Sequence, residues 1–248
     1  VLNGDGQATE LSQYGEAGGP FHVQRVFDGQ GRLATETDRF GQVSTWTYDE
    51  VGNRLQLSDP AGSTASTPDR LNRTARISTA AGSSAMEYSP AGRLRELSHG
   101  NGARSSYGYD SAGRLESIVH RQGSSVVAEF SYTYDDRNNR RTQTRTDASG
   151  TEVSTYSYDK DDRLTDVAVR IGSVTTTTAY TLDKVGNRTK EVVRRGSATL
   201  KDISYTYLAK QRLTEQRDAI SGAVTEFDYD ARGHLIEETS SGQTTTYR

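Results

Sequence analysis

Tyr109-Asp110-Ser111-Ala112-Gly113-Arg114-Leu115 sets out, in one short run, a large ring, an acid, two small residues, a glycine, a cation and an apolar residue. The same order returns in Phe27-Asp28-Gly29-Gln30-Gly31-Arg32-Leu33, in Tyr88-Ser89-Pro90-Ala91-Gly92-Arg93-Leu94 and in Tyr229-Asp230-Ala231-Arg232-Gly233-His234-Leu235. Tyr48-Asp49-Glu50-Val51-Gly52-Asn53-Arg54-Leu55 reads as this unit with an extra Asn before the Arg. Degenerate copies start at Pro68, Tyr134, Tyr158, Leu182 and Tyr207; they keep Asp135, Asp159, Asp183 and Gly186 of the pattern. A weaker copy opens at Leu2, in Leu2-Asn3-Gly4-Asp5-Gly6. The ten stronger anchors lie 20 to 25 residues apart, a period that identifies a repeat array.

The motif has the chemistry of a tight turn. An Asp in the first turn position accepts a hydrogen bond from the backbone two residues on, and Gly supplies the positive φ that closes a type I turn with a bulge. In Tyr134-Asp135-Asp136-Arg137-Asn138-Asn139 the Gly is replaced by Asn138, the next most tolerant residue for a left-handed backbone. A second landmark follows fourteen residues after seven of the anchors, at Gly41, Gly62, Gly82, Gly102, Gly123, Gly172 and Gly196; Gly150, Gly222 and Gly242 stand close to that position in the other three copies. Two turns per repeat make each repeat an out-and-back hairpin.

The segments between turns alternate with the period of a half-buried strand. Val126, Ala128, Phe130, Tyr132 and Tyr134 interleave with Val127, Glu129, Ser131 and Thr133. A two-residue aromatic step recurs before the turns: Trp46 with Tyr48, Tyr107 with Tyr109, Tyr156 with Tyr158, Tyr205 with Tyr207, and Phe227 with Tyr229. One face therefore carries rings, while Thr on alternate positions suits a pleated surface facing water. Leu208 to Ile220 has a helix-friendly composition, but the repeat register makes it strand and turn. The expected fold is all-β: a long, curved antiparallel sheet of about twenty short strands, roughly 25 Å wide for strands of about seven to nine residues. The array runs over 27–248, and 1–26 reads as a degenerate repeat with entry strands.

Composition narrows the chemistry. The 248 residues contain no Cys, which excludes disulfides, thiolate metal sites and a Cys nucleophile. A net charge of -3 with interspersed signs lacks the clustered basic stripe of a nucleic-acid binder. No apolar run approaches a membrane span, so this segment is not expected to insert in a bilayer. Cohesion must come from the 14 Tyr and 30 Thr more than from aliphatic side chains; each Tyr buries a large ring while its hydroxyl stays paired or wet.

No catalytic, cofactor-binding or metal-binding residue stands out from the repeat. His22, His99, His120 and His234 are isolated, without metal-ligand spacing, and His234 merely holds the repeat's Arg position. The Asp residues recur at one turn position, which accounts for them without the carboxylate pair of a glycosidase. Gly29-Gln30-Gly31 lacks the surroundings of a phosphate loop, and Asn3-Gly4-Asp5-Gly6 has too few acids for a calcium loop. Asn72-Arg73-Thr74 and Asn187-Arg188-Thr189 are glycosylation sequons that coincide with turns. Arg at the end of each turn can pair with the turn Asp or with a neighbouring repeat, as a surface device of small energetic weight. The chain is read as non-enzymatic and free of cofactors.

The registered Tyr-Asp-x-x-Gly-Arg-Leu units resemble the YD-repeat, or Rhs, family, and the resemblance covers about residues 20 to 248. That family includes shell regions of bacterial polymorphic toxins, cocoon-forming components of insecticidal toxin complexes, and the teneurin cell-surface proteins. The resemblance implies a sheet that spirals into a hollow shell, holding a C-terminal cytotoxic domain in the toxin members. Family toxins end the shell with a motif containing Asp-Pro-x-Gly-Leu; Asp59-Pro60-Ala61-Gly62 is followed by Ser63 instead and coincides with a repeat turn. The chain stops at Tyr247-Arg248, where the next anchor is due, and so reads as an excerpt of a longer array. On this resemblance the expected role is a structural segment of a secreted toxin's shell, with the rest of the shell and an enclosed toxic domain as partners and a secretion apparatus as a further one. The alternative is a cell-surface adhesion module that binds a carbohydrate or a protein.

Overall fold

A computed structural model describes residues 10–14 and 20–247, with side chains from 23 to 247; the weak copy at Leu2 lies outside them. The chain divides into two compact units, one formed by 1–107 and 120–125 and the other by 108–119 and 126–248.

The first unit is a meander of β1 (Glu10–Tyr14), β2 (Pro20–Phe27), β3 (Leu33–Thr37), β4 (Val43–Tyr48), β5 (Arg54–Asp59), β6 (Gly62–Pro68), β7 (Thr74–Thr79), β8 (Gly82–Tyr88), β9 (Leu94–His99) and β10 (Ala103–Tyr109). Each strand pairs antiparallel with the next. The residues of β10 and of β11 (Leu115–Gln122) are divided between the units. The second unit continues with β12 (Ser125–Tyr134), β13 (Arg140–Asp147), β14 (Gly150–Tyr158), β15 (Leu164–Ile171), β16 (Val174–Leu182), β17 (Arg188–Arg195), β18 (Ala198–Leu208), β19 (Arg212–Asp218), β20 (Val224–Tyr229), β21 (Leu235–Ser240) and β22 (Gln243–Thr246). From β12 onward every strand again pairs antiparallel with its successor. Among the described residues the helical structure is a single 3-10 turn, Ala209–Gln211, and no helix is long and apolar enough to cross a membrane.

The fold is thus all-β and antiparallel, as the hairpin reading expects. Leu208 to Ile220 is the end of one strand, the 3-10 turn and another strand; Leu208 stands where other copies have Asp, and Lys210 and Gln211 take the positive φ values of 66° and 61° there. Asn53 is not an extra residue: Tyr48 pairs with Arg54 just as Phe27 pairs with Leu33 and Tyr158 with Leu164, each with a register shift at the anchor. The turn has one length, and Asn replaces Arg within it. This moves Arg54, Arg140 and Arg188 onto the first position of the return strand.

Burial follows the alternation. In β4 the pattern strictly alternates exposed with half-buried, placing Trp46 and Tyr48 on the covered side. Among the described residues only Val192 and Ile203 are buried apolar side chains, 8% and 5% exposed. Their ladder partners, Asp202 and Glu191, put them on opposite faces, so neither face holds an aliphatic core. Cohesion has to come from contacts running along the sheet.

Candidate functional site

Those contacts concentrate at the anchor turns. At Asp28, Oδ1 accepts the Gln30 and Arg32 N–H groups, both at 2.9 Å, and Oδ2 accepts Arg32 Nε at 2.7 Å. The Gly31 N–H closes the turn on the Asp28 carbonyl at 2.9 Å. Asp69 with Arg73, Asp110 with Arg114 and Asp159 with Arg163 repeat the arrangement. Where Asn stands in the Arg position, its Nδ2 donates to the same carboxylate oxygen: Asn53 to Asp49 at 2.7 Å, Asn139 to Asp135 at 3.2 Å and Asn187 to Asp183 at 2.8 Å. His234 Nδ1 lies 3.0 Å from Asp230 Oδ2 in the corresponding place. The left-handed position belongs to Gly52, Gly92, Gly113, Gly186 and Gly233, and Asn138 adopts it at φ 70°.

This hydrogen-bonding holds the turn carboxyls below the ordinary Asp range. The side-chain bond from Arg163, reinforced by backbone N–H donors, brings Asp159 to about 2. At Asp135 and Asp183 desolvation pulls the other way, but the Asn and backbone donors prevail.

The same cations and amides reach the next repeat. Arg32 Nη1 donates to the Asp49 carbonyl at 2.7 Å, and Arg163 Nη1 to the Asp183 carbonyl at 2.9 Å. Asn53 Nδ2 also donates to Asn72 Oδ1 at 2.9 Å, and Asn139 Nδ2 to Asp162 Oδ1 at 2.7 Å. In these four repeats Arg and Asn thus do the same two jobs: each binds its own Asp and grips the following turn.

The anchor rings make a third link, back toward the preceding repeat. Tyr48 donates its hydroxyl to the Leu33 carbonyl at 3.0 Å, Tyr88 to Thr74 at 2.9 Å, Tyr134 to Leu115 at 2.7 Å, Tyr158 to Arg140 at 2.9 Å and Tyr207 to Arg188 at 3.0 Å. Each acceptor is the first residue of a return strand. Guanidinium groups cap the rings: Arg32 lies 4.6 Å from the Tyr48 centroid, Arg73 4.3 Å from Tyr88 and Arg114 4.8 Å from Tyr134. At partly exposed sites each such contact is worth about 0.5 to 1 kcal/mol. Arg140 serves two rings, Tyr132 and Tyr156, and Arg188 serves Tyr180 and Tyr205. The expected aromatic set, Trp46, Tyr48, Tyr107, Tyr109, Tyr132, Tyr134, Tyr156, Tyr158, Tyr205, Tyr207, Phe227 and Tyr229, is half-buried throughout.

Sequence reasoning passed over four residues in these joints. Tyr180 belongs to the ring row but precedes Leu182, and Arg140 and Arg188 looked like ordinary turn cations. The fourth, Glu191, is 8% exposed and bonds Lys201 Nζ at 2.9 Å and the Tyr205 hydroxyl at 3.2 Å, with Arg188 Nη1 at 3.1 Å. Burial pushes its carboxyl up, but the two cations and the phenol hold it below the ordinary Glu range. The signal available was its place opposite Tyr180.

His99 and His120 each lie with Nδ1 at 2.8 Å from a hydroxyl, of Ser84 and Ser105 respectively. Asp59 caps a two-residue loop through the Ala61 and Gly62 N–H groups. Among the described residues no three His, Asp or Glu side chains are grouped to hold a metal ion.

The family model described as RHS Repeat matches residues 27–64, 88–125 and 207–246. Those three segments carry RHS repeats. Its fold is shared with the crystal structure of TcdB2-TccC3-Cdc42, at a TM-score of 0.60 and 15% identity over 97% of this chain. The crystal structure of TcdB2-TccC3 without its hypervariable C-terminal region gives a TM-score of 0.60 at 16% identity, again over 97% of this chain. This chain spans only 16% of either of those chains. No curated protein sequence matches this one.

Proposed function

We propose that these RHS repeats are a structural segment of the wall of a secreted toxin's shell, which encloses and protects a toxic cargo domain. The observation that carries this reading is the chain of links along the anchor turns, from Asp28 and Arg32 to Asp49 and from Asp159 and Arg163 to Asp183. A sheet with almost no core of its own is held together lengthwise, and so offers two broad faces as a wall does. The half-buried ring face is the one turned toward the enclosed side. Confinement is the whole mechanism: a closed sheet leaves no free edge and keeps proteases and targets from the cargo. The role calls for no catalysis and no cofactor. Its partners are further repeats of the same shell and the cargo, and a similar structure, determined without a hypervariable C-terminal region, supports a variable segment beyond the repeats.

Limited proteolysis of the natural full-length protein, followed by mass spectrometry, tests the proposal. The segment beyond the repeats is expected to survive while the shell is folded and to be digested once it is unfolded. Digestion under native conditions would sink the container reading.

A further inference from the structure

The ring row has one gap. Every repeat from Trp46 to Tyr229 places a large side chain at the anchor or two residues before it, except one, which has Ser66 and Pro68 in those places. There the surface opens into a cleft of about 410 Å³, bordered by Trp46, Tyr48, Asn53, Arg54, Ser66 and Pro68. An apolar cavity of about 150 Å³ holds a benzene, so the cleft has room for the two rings that the repeat omits.

Two other repeats show what such a place receives. Asn53-Arg54, Asn139-Arg140 and Asn187-Arg188 are equivalent turn ends. The Arg140 and Arg188 carbonyls accept the hydroxyls of Tyr158 and Tyr207, and their guanidinium groups cover Tyr156 and Tyr205 at 5.2 and 4.8 Å. In the third case the residues at the matching positions are Pro68, which has no hydroxyl, and Ser66, which has no ring. Trp46 and Tyr48 wall the cleft on the side of the preceding strand pair, and Tyr48 is already fixed by its bond to Leu33 and by Arg32. The acceptor and the aromatic wall are in place before anything enters, which limits the ordering cost of binding, and Arg54 stands exposed on the rim of the cleft.

We propose that this cleft is a binding site for the phenol ring of a tyrosine presented by another polypeptide segment. Its hydroxyl donates to the Arg54 carbonyl, and its ring packs between Trp46 and the Arg54 guanidinium. The site offers one ring supplied from outside both the carbonyl bond that Tyr158 and Tyr207 make from within and the guanidinium cover that Tyr156 and Tyr205 receive. It does not depend on whether the face lines an enclosed space.

Trp46 is the single Trp of the chain, so its fluorescence, excited where phenols do not absorb, reports on the cleft directly. Titration of the 248-residue chain with N-acetyl-tyrosinamide is expected to give a saturable change in the millimolar range. N-acetyl-phenylalaninamide, which lacks the hydroxyl, is expected to bind at least threefold more weakly. Ser66→Tyr and Pro68→Tyr each fill the socket from within and are expected to weaken the titration at least tenfold; if Pro68→Tyr does not fold, by far-ultraviolet circular dichroism, Ser66→Tyr alone decides. No saturable change with the tyrosine amide, equal binding of the phenylalanine amide, or undiminished binding in folded Ser66→Tyr would each overturn the proposal. So would a saturable response to glucose alone, which would make the cleft a sugar site.

Discussion

The edge that carries Asp28, Asp49 and Asp69 in the first unit, and Asp135, Asp159 and Asp183 in the second, keeps one turn length and one pattern of carboxylate bonds. On the opposite edge Asp38 builds a turn of the anchor kind with Gly41, Asp59 and Gly62 close a two-residue loop, Gly172 and Gly196 take φ values of 57° and 58° in tight hairpins, and 219–223 form a longer connection. Strand length varies with that second edge: β3 has 5 residues and β18 has 11. Apolar tips such as Ile171, Leu200 and Ile220 are left about half exposed there. Anchor spacing of 20 to 25 residues is absorbed at the edge where little depends on it. The difference teaches that the repeat is defined by a joint more than by a length of strand.

The sharpest test is to insert the same two residues, Gly-Ser, at each edge. Between Ser111 and Ala112 the insertion separates Asp110 from Arg114 and moves the acceptor of Tyr134; it is expected to lower the urea midpoint more than any single substitution at the joint. Between Gly172 and Ser173 it lengthens a free hairpin and is expected to cost less than about 1 kcal/mol. Equal losses at both edges would end the distinction. Next in size is the ring itself: Tyr134→Ala removes a half-buried phenol, its hydrogen bond and the surface beneath Arg114, about 2 to 3 kcal/mol in urea unfolding. Tyr134→Phe removes only the hydroxyl bond and is expected to cost about 1 kcal/mol.

Acid probes the joint as a whole. The turn carboxyls are depressed in the fold, so their stabilisation is complete above the unfolded Asp value of about 4. It is lost as pH falls toward the folded values, about 2 for Asp159. The urea midpoint is therefore expected to drop between about pH 4 and pH 2, and Asp159→Asn should flatten that drop while lowering the midpoint at neutral pH. A midpoint independent of pH over this window would show that the carboxylates do not hold the turns. The smallest effect expected is that of Asn139→Arg. Arg already serves at this position beside Asp28, Asp69, Asp110 and Asp159, so the exchange should change stability by no more than about 0.5 kcal/mol.

Strands, turns and the ring row were legible because each is a local pattern: alternation, an Asp four residues before a cation, a Gly at a fixed offset. Asn138 in the Gly position showed that backbone conformation, not side-chain identity, is what the motif preserves. Contacts between repeats were not legible, since they depend on which way a long side chain leans. Arg114 could be foreseen beside Asp110 but not over Tyr134, 20 residues on. Asn53 was misread as an insertion because the letters Asn-Arg-Leu preserve the familiar Arg-Leu, whereas pairing of Tyr48 with Arg54 shows the register unchanged. Glu191 was missed because two of its three partners, Lys201 and Tyr205, lie on another strand, with Arg188 on its own.

The unbroken pairing of each strand with its successor within a unit has a kinetic side. No strand there must wait for a partner far away in the chain, so the loop-closure penalty that slows most sheet proteins is small. Folding can nucleate at any hairpin and spread outward. On the ribosome, where a chain appears one segment at a time, the repeats can lock in order of synthesis, and little unpaired edge is exposed to neighbouring nascent chains at any moment.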